Sequence, residues 1–128
     1  MRLALVAAIV ALAACGTGGR PLGVELTDHA ITVDPASVAA GRFVLNIRNA
    51  GTQAHELQII RTDAAADALP YNTVAQQAKP ADKVAERESI RSTATAHLTV
   101  DLPAGHYVLL CDIPGHYAAG MRVSLDVR

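Results

Sequence analysis

The stretch LPAGHYVLLCDIPGHYAAGMRVSLDV, residues 102–127, indicates both the architecture of this chain and the place of its chemistry. The Pro-Ala-Gly segment at 103–105 predicts a tight turn, and the residues after it alternate in the manner of a β-strand. Because side chains point alternately to the two faces of a strand, Tyr107, Leu109 and Cys111 share one face. If Leu109 points into a core, the thiol of Cys111 lies at the buried end of that strand.

Similar alternation recurs along the chain, with turn residues between the alternating segments. These segments lie at 24–26, 31–33, 42–48, 55–61, 94–102, 106–112 and 121–127. Six to eight short strands separated by turns favour an all-β fold, a Greek-key antiparallel β-sandwich. Only 3% of residues are aromatic, so the core must consist mainly of Val, Ile, Leu and Ala.

Residues 62–93 differ in composition, being rich in Ala, Asp, Gln, Lys and Glu. We interpret them as a surface insertion with loose helical turns. A short helix is predicted at 81–90, where Val84 and Glu88, like Lys83 and Arg87, are four residues apart.

The N-terminus predicts export. Arg2 precedes an apolar run of 12 residues, which suits the apolar region of a signal peptide and is shorter than the ~20 residues of a membrane span. The end of that run, Leu-Ala-Ala-Cys at 12–15, resembles the lipobox of bacterial lipoproteins, in which the cysteine is acylated and becomes the mature N-terminus. A buried core helix and ordinary secretion after an Ala-x-Ala-like site are the competing interpretations.

On this basis the chain divides into a signal peptide at 1–14, a lipid-anchored tether at 15–23 and one domain at 24–128. The tether sequence is rich in glycine, which is typical of flexible linkers. Acylation of Cys15 predicts an exported bacterial lipoprotein that is held at the cell membrane and faces the periplasm or the exterior. It also leaves Cys111 as the only thiol of the mature chain, which suggests intermolecular disulfide pairing or a reactive or metal-binding role.

The formal net charge of −1 and the lack of a basic run argue against a nucleic-acid partner. We expect a monomer.

Cys111, His116 and Met121 lie in one loop that follows a predicted strand, and their side chains can converge on a point. His55 begins another strand after a turn and is the best candidate for a fourth ligand. Two histidines, one cysteine and a weak axial methionine suit copper. Zinc also accepts two histidines and a cysteine, but methionine is a poor zinc ligand. The remaining histidines, His29, His97 and His106, are interpreted as ordinary polar residues.

The chain resembles the cupredoxins, the family of blue copper proteins that includes plastocyanin and azurin. The first part of the family pattern, a histidine after an Asn-x-Gly turn, is matched by Asn49, Gly51 and His55. The later part is matched by Leu102, Gly105, Tyr107, Cys111, His116 and Met121. The Cys-x4-His-x4-Met spacing is similar to that of auracyanin-like members. The resemblance implies one copper ion held by His55, Cys111, His116 and, axially, Met121, and a Tyr107 hydroxyl that caps a Greek-key corner.

Two residues beside the ligands depart from the family pattern. Glu56 stands where many cupredoxins have an asparagine that ties the two ligand segments together, and Asp112 stands where a serine or threonine often follows the cysteine. A carboxylate at 112 is expected to lower the reduction potential by favouring Cu(II). Asn49 is expected to shape the turn and to support the site by hydrogen bonds.

The resemblance implies an electron carrier rather than an enzyme, because all positions around the metal are filled. Small or apolar residues surround His116, at 113–115 and 117–119, and predict a patch for weak, brief docking of redox proteins. Two alternatives remain open. One is a module that holds or delivers copper for another protein, and the other is a cupredoxin fold that binds no metal.

Overall fold

Residues 18–128 are described in a computed structural model of the chain, and within them there are eleven β-strands and no helix. The strands are β1 (Arg20–Leu26), β2 (Ile31–Asp34), β3 (Ser37–Val38), β4 (Gly41–Asn49), β5 (His55–Arg61), β6 (Tyr71–Asn72), β7 (Gln77–Ala78), β8 (Lys83–Ile90), β9 (Thr95–Leu102), β10 (Gly105–Leu110) and β11 (Arg122–Val127). The predicted all-β class is confirmed.

The strands form two main sheets and one small hairpin. One sheet has the order β2-β1-β4-β9, the other has the order β3-β11-β10-β5-β8, and β6 pairs with β7. Most neighbours are antiparallel, but β1 runs parallel to β4 and β3 runs parallel to β11. The sandwich is therefore mixed rather than wholly antiparallel, because the chain crosses to the other sheet at β3 before β4 returns beside β1.

Alternation along the strands produces the core between the sheets. Phe43, Leu45 and Ile47 of β4 are buried, whereas the residues between them are more exposed. Tyr107 and Leu109 point into the same core from β10. Burying a large apolar side chain contributes roughly 1.5–3 kcal/mol, so these alternating residues fix which face of each strand is inward.

A second apolar cluster lies on the outer face of the β10 sheet. Val108 and Leu110 of β10 are fully buried there, under Leu69 and Ala78 from the 62–93 segment. The segment therefore covers a part of the sheet instead of lying loosely on the surface. This cover explains why the end of β10 is apolar on both faces.

The helix predicted at 81–90 is wrong, because this segment forms strand β8, which pairs antiparallel with β5. The i,i+4 spacing of Val84 and Glu88 and of Lys83 and Arg87 indicated a helix. Without β8, however, β5 would present unpaired backbone groups along its edge. Most side chains of β8 are exposed, and many are charged, as is common in strands at the edge of a sheet.

The folded domain begins earlier than the sequence predicted. Strand β1 starts at Arg20, and Leu22 is buried in the core, so the tether predicted at 15–23 does not extend beyond residue 19. The signal peptide predicted at 1–14 and the acylation predicted at Cys15 lie outside the described residues. Within residues 18–128 no helix is long and apolar enough to cross a membrane.

Candidate metal centre

Cys111 directly follows β10 and is fully buried on the core face, as the alternation predicted. Its backbone N–H donates to the carbonyl of Met121 at 3.1 Å, which closes the base of the loop. The backbone N–H of Glu56 approaches the sulfur at 3.5 Å. Burial raises the pKa of the Cys111 thiol, which disfavours the thiolate, and a bound cation would offset this loss of hydration.

His55 is the first residue of β5 and is also fully buried. Strand β5 pairs antiparallel with β10, with Gln58 opposite Leu110. The start of β5 therefore lies beside the end of β10, and this pairing brings His55 to Cys111 although 56 residues separate them.

His116 lies in the loop between β10 and β11 and is partly exposed. Its backbone N–H donates to the carbonyl of Ile113 at 2.9 Å, and its carbonyl accepts from Met121 at 3.1 Å. The flanking Gly115 and Gly120 have φ values of 87° and 117°, a region that favours glycine. Burial, followed by the proximity of His55, lowers the pKa of His116, which favours a neutral ring with a free lone pair.

The donor atoms of the three side chains converge. The Nδ1 atoms of His55 and His116 are 3.1 Å apart, and the sulfur of Cys111 is 3.5 Å from Nδ1 of His116 and 4.0 Å from Nδ1 of His55. These are the residues that can hold a metal ion among those described.

The distances fit a single ion. An ion that forms bonds of about 2.0 Å to nitrogen and about 2.3 Å to sulfur, as zinc does, could contact all three donor atoms at once. Two histidines and a cysteine are also the trigonal donor set of blue copper sites. The donor set and its spacing therefore suit copper.

Met121 is fully buried and packs in the main core cluster. Its backbone is hydrogen-bonded to both Cys111 and His116, so the fourth residue predicted for the site lies at the same end of the sandwich.

Asp28 is the residue at the site that sequence reasoning missed. It lies in the turn between β1 and β2, and its Oδ1 is 2.9 Å from Nε2 of His55. Hydrogen bonds from the side chain and backbone of Thr52, and then from His55, hold the pKa of Asp28 well below its usual range. A lone aspartate in an early turn carries no sequence signal for this contact, because only the packing of the turn against residues 51–55 creates it.

Glu56 links the two segments that carry the ligand candidates. Its Oε1 accepts from the backbone N–H of Asp112 at 3.2 Å, while its own N–H approaches the sulfur of Cys111. It thus makes the connection that the resemblance assigns to an asparagine at this position.

Asp112 connects the loop to the 62–93 segment. Its carboxylate accepts from the N–H of Ala78 at 2.7 Å, and its carbonyl accepts from the side chain of Gln77 at 2.9 Å. The N–H of Gly115 also donates to the carbonyl of Gln76, at 2.8 Å. Burial raises the pKa of Asp112.

Asn49 is fully buried and supports the turn before His55 without touching the cluster. Its side-chain amide donates to the carbonyls of Gln53 and Ile90 at 2.8 and 2.9 Å, and its oxygen accepts from the N–H of Gly51 at 2.9 Å. These bonds hold the turn before His55, and the bond to Ile90 ties that turn to the end of β8.

The other three histidines lie outside the cluster. His29 is exposed in the β1–β2 turn. His97 lies on β9 of the other sheet, and its Nδ1 is 2.9 Å from Oδ1 of Asn46 on the neighbouring strand β4. Nδ1 of His106 donates to the carbonyl of Thr62 at 2.7 Å.

Around His116 the exposed small residues are Pro114, Ala118 and Ala119. Tyr117, which the sequence placed in the same patch, is buried. Its hydroxyl donates to the carbonyl of Ala66 at 2.7 Å and accepts from the N–H of Leu69 at 3.1 Å. Tyr107, in contrast, has its predicted contact, because its hydroxyl donates to the carbonyl of Pro103 at 2.7 Å.

Comparison with known proteins supports the fold and the family. Residues 35–128 match the sulfocyanin (SoxE) domain family. Comparison with curated proteins gives no match.

Solved structures that resemble the chain are copper proteins at low sequence identity. An auracyanin from Roseiflexus castenholzii is 20% identical, with a TM-score of 0.62, over 87% of this chain and 98% of that one. Auracyanin A from Chloroflexus aurantiacus, described as a "blue" copper protein, is 22% identical, with a TM-score of 0.59, over 85% of this chain and 100% of that one. Rusticyanin from Thiobacillus ferrooxidans is 20% identical, with a TM-score of 0.61, over 87% of this chain and 79% of that one.

Proposed function

We propose that this chain, which belongs to the sulfocyanin (SoxE) domain family, is a type 1 copper protein that carries single electrons between redox partners at the outer side of the cytoplasmic membrane. The observation that carries the proposal is the convergence of two imidazole Nδ1 atoms and one thiol sulfur, all within 4.0 Å of one another. A copper ion held there supplies a reversible one-electron couple.

In this proposal His55, Cys111 and His116 hold the ion, and Met121 is the weak axial ligand. Three of these four side chains are fully buried, so they exclude water and have little room to move. A rigid donor set suits electron transfer, because a site with a geometry between the preferences of Cu(I) and Cu(II) rearranges little when the electron moves.

A carrier function, rather than an enzymatic one, follows from the same ligand set. With four side chains around one ion, no coordination position is left for a substrate. Metal sites that catalyse reactions usually keep such a position open.

Redox partners are proposed to dock at the small residues around His116. His116 is the partly exposed member of the three-residue cluster, and it lies beside the exposed Pro114, Ala118 and Ala119. A flat patch of small side chains suits a weak complex with less than ~1,200 Å² buried. The predicted signal peptide and lipobox support export and attachment to the membrane through lipid.

The first experiment is the addition of one equivalent of Cu(II) to the purified protein, followed by visible absorption and electron paramagnetic resonance. An intense blue band with a narrow copper hyperfine splitting is expected. Cys111→Ser should abolish that band, while His97→Gln, which changes a histidine on the other sheet, should keep it.

A blue band that persists in Cys111→Ser would contradict the ligand assignment. A pale tetragonal copper signal in the wild type would contradict a type 1 site, and would favour copper delivery instead. Reversible one-electron cycling without loss of copper separates the carrier from the delivery module.

A further inference from the structure

We propose that Asp28 is a positioning residue for His55, which fixes the protonated nitrogen of the ring and lowers the reduction potential of the copper site. The inference rests on the proposed function, and it is carried by the 2.9 Å contact between Oδ1 of Asp28 and Nε2 of His55. The side chain of His55 is fully buried, whereas that of Asp28 is 18% exposed.

The carboxylate of Asp28 is held in place by the turn that precedes His55. The hydroxyl of Thr52 donates to Oδ2 at 2.6 Å, and the backbone N–H groups of Thr52 and Gln53 donate to the carboxylate at 3.0 and 3.2 Å. Hydrogen bonds of this kind stabilise the charged form of a carboxylate. The group is therefore an acceptor only, and the proton in its contact with His55 belongs to Nε2.

Gly51 makes the close approach possible. A Cβ atom at this position would lie 2.3 Å from Oδ1 of Asp28 and 2.9 Å from Nε2 of His55. The hydrogen bond thus passes through space that any other residue at 51 would fill. The buried turn is shaped for this contact, which distinguishes it from a chance meeting of two surface groups.

A proton fixed on Nε2 leaves the lone pair of a neutral His55 on Nδ1, the atom that faces Cys111 and His116. The hydrogen bond also holds the ring against rotation. A carboxylate partner makes an imidazole a stronger donor, and such partners change metal affinity 10- to 100-fold when they are removed. Because a stronger donor and a nearby negative charge favour the more positive ion, Asp28 stabilises Cu(II) relative to Cu(I).

The first test compares Asp28→Asn with the wild type. The amide keeps an acceptor oxygen at nearly the same place but removes the charge. We expect the blue band to remain and the affinity for Cu(II) to fall about tenfold. With an unchanged affinity for Cu(I), a tenfold loss corresponds to a reduction potential about 59 mV higher. Glu25→Gln, which removes an exposed carboxylate from the adjoining strand β1, should leave the potential unchanged.

The second test uses metal-free protein and nuclear magnetic resonance of the imidazole groups. In the wild type the proton on Nε2 of His55 should exchange slowly with water. In Asp28→Ala it should exchange rapidly, since its acceptor is gone. If Asp28→Ala does not fold, Thr52→Val, which removes one donor to the carboxylate, should speed the exchange to a smaller extent.

The inference is overturned if Asp28→Asn keeps the blue band with an unchanged potential, or if Nε2 of the wild type carries no protected proton. The absence of a blue band in the wild type would instead contradict the proposed function. The exchange measurement would then still decide whether Asp28 positions His55.

Discussion

The two histidines of the centre present the same atom, Nδ1, to the same point, but they are held in opposite ways. His55 is fully buried, and its far nitrogen bonds to an ionised carboxylate. His116 is partly exposed, and its Nε2 forms no hydrogen bond within residues 18–128. Its position depends on backbone bonds of its own loop and on the contacts that this loop makes with the 62–93 segment.

This difference indicates a division of tasks. The His55 side fixes a donor and adjusts its strength through charge. The His116 side leaves one ring partly exposed, at the patch where docking is proposed, and its loop is held by the 62–93 segment packed behind it. Substitutions on the His55 side should alter the affinity for copper and the reduction potential. Substitutions on the His116 side should alter the stability of the loop.

Gly51→Ala should have the largest effect, because the added Cβ separates Asp28 from His55. Forcing a methyl group into this packed turn is expected to lower the free energy of unfolding by about 3 kcal/mol and to weaken copper binding. Urea denaturation and copper titration measure the two effects. Gly23→Ala is the matched control, since its Cβ would meet only the carbonyl oxygen of Asp34 at 3.8 Å. Equal behaviour of the two variants would contradict the role of Gly51.

Asp112→Ala should have the second-largest effect, and it changes the side of the centre that carries His116. It leaves the buried N–H of Ala78 without its acceptor, which is expected to cost about 2 kcal/mol of unfolding free energy. Asp112→Asn keeps an acceptor and should lose less. Denaturation curves of the two variants give the comparison, and an alanine variant as stable as the wild type would show that the loop does not depend on the insertion.

Tyr117→Phe should have the smallest effect of the three on the metal centre itself. It removes a hydroxyl that bonds to Ala66 and leaves the buried N–H of Leu69 without its acceptor, at an expected cost of about 2 kcal/mol of unfolding free energy, while the reduction potential stays the same. Tyr71→Phe is the control, because the ring of Tyr71 stacks on that of Tyr117 with centroids 5.8 Å apart, and its hydroxyl forms no hydrogen bond within residues 18–128. A shift of potential in Tyr117→Phe would mean that the insertion also tunes the metal.

Much of this molecule could be predicted from local pattern. Alternation located the long strands and predicted that Cys111 points inward. This works because successive side chains of a strand point to opposite faces, one buried in the core and one more exposed. The loop spacing selected Cys111, His116 and Met121, because residues within one short loop are necessarily close. His55 was found by its place at the start of a strand after a turn, and the structure brings it to the same cluster.

What the sequence could not determine depends on contacts between distant segments. Residues of β8 have the i,i+4 spacing that indicated a helix, yet they form a strand because they pair with the edge of β5. Tyr117 lies inward because the insertion supplies partners for its hydroxyl.

Asp28 and His55 are 27 residues apart in the chain. They meet only because the β1–β2 turn packs against the turn before β5, where Gly51 has no side chain to block the contact. The sequence by itself therefore determined the alternating core strands and the candidate donor set, whose signals are periodic or close together in the chain. The tertiary structure alone decided how each donor is held, since hydrogen bonds and close approaches between remote residues leave no local pattern.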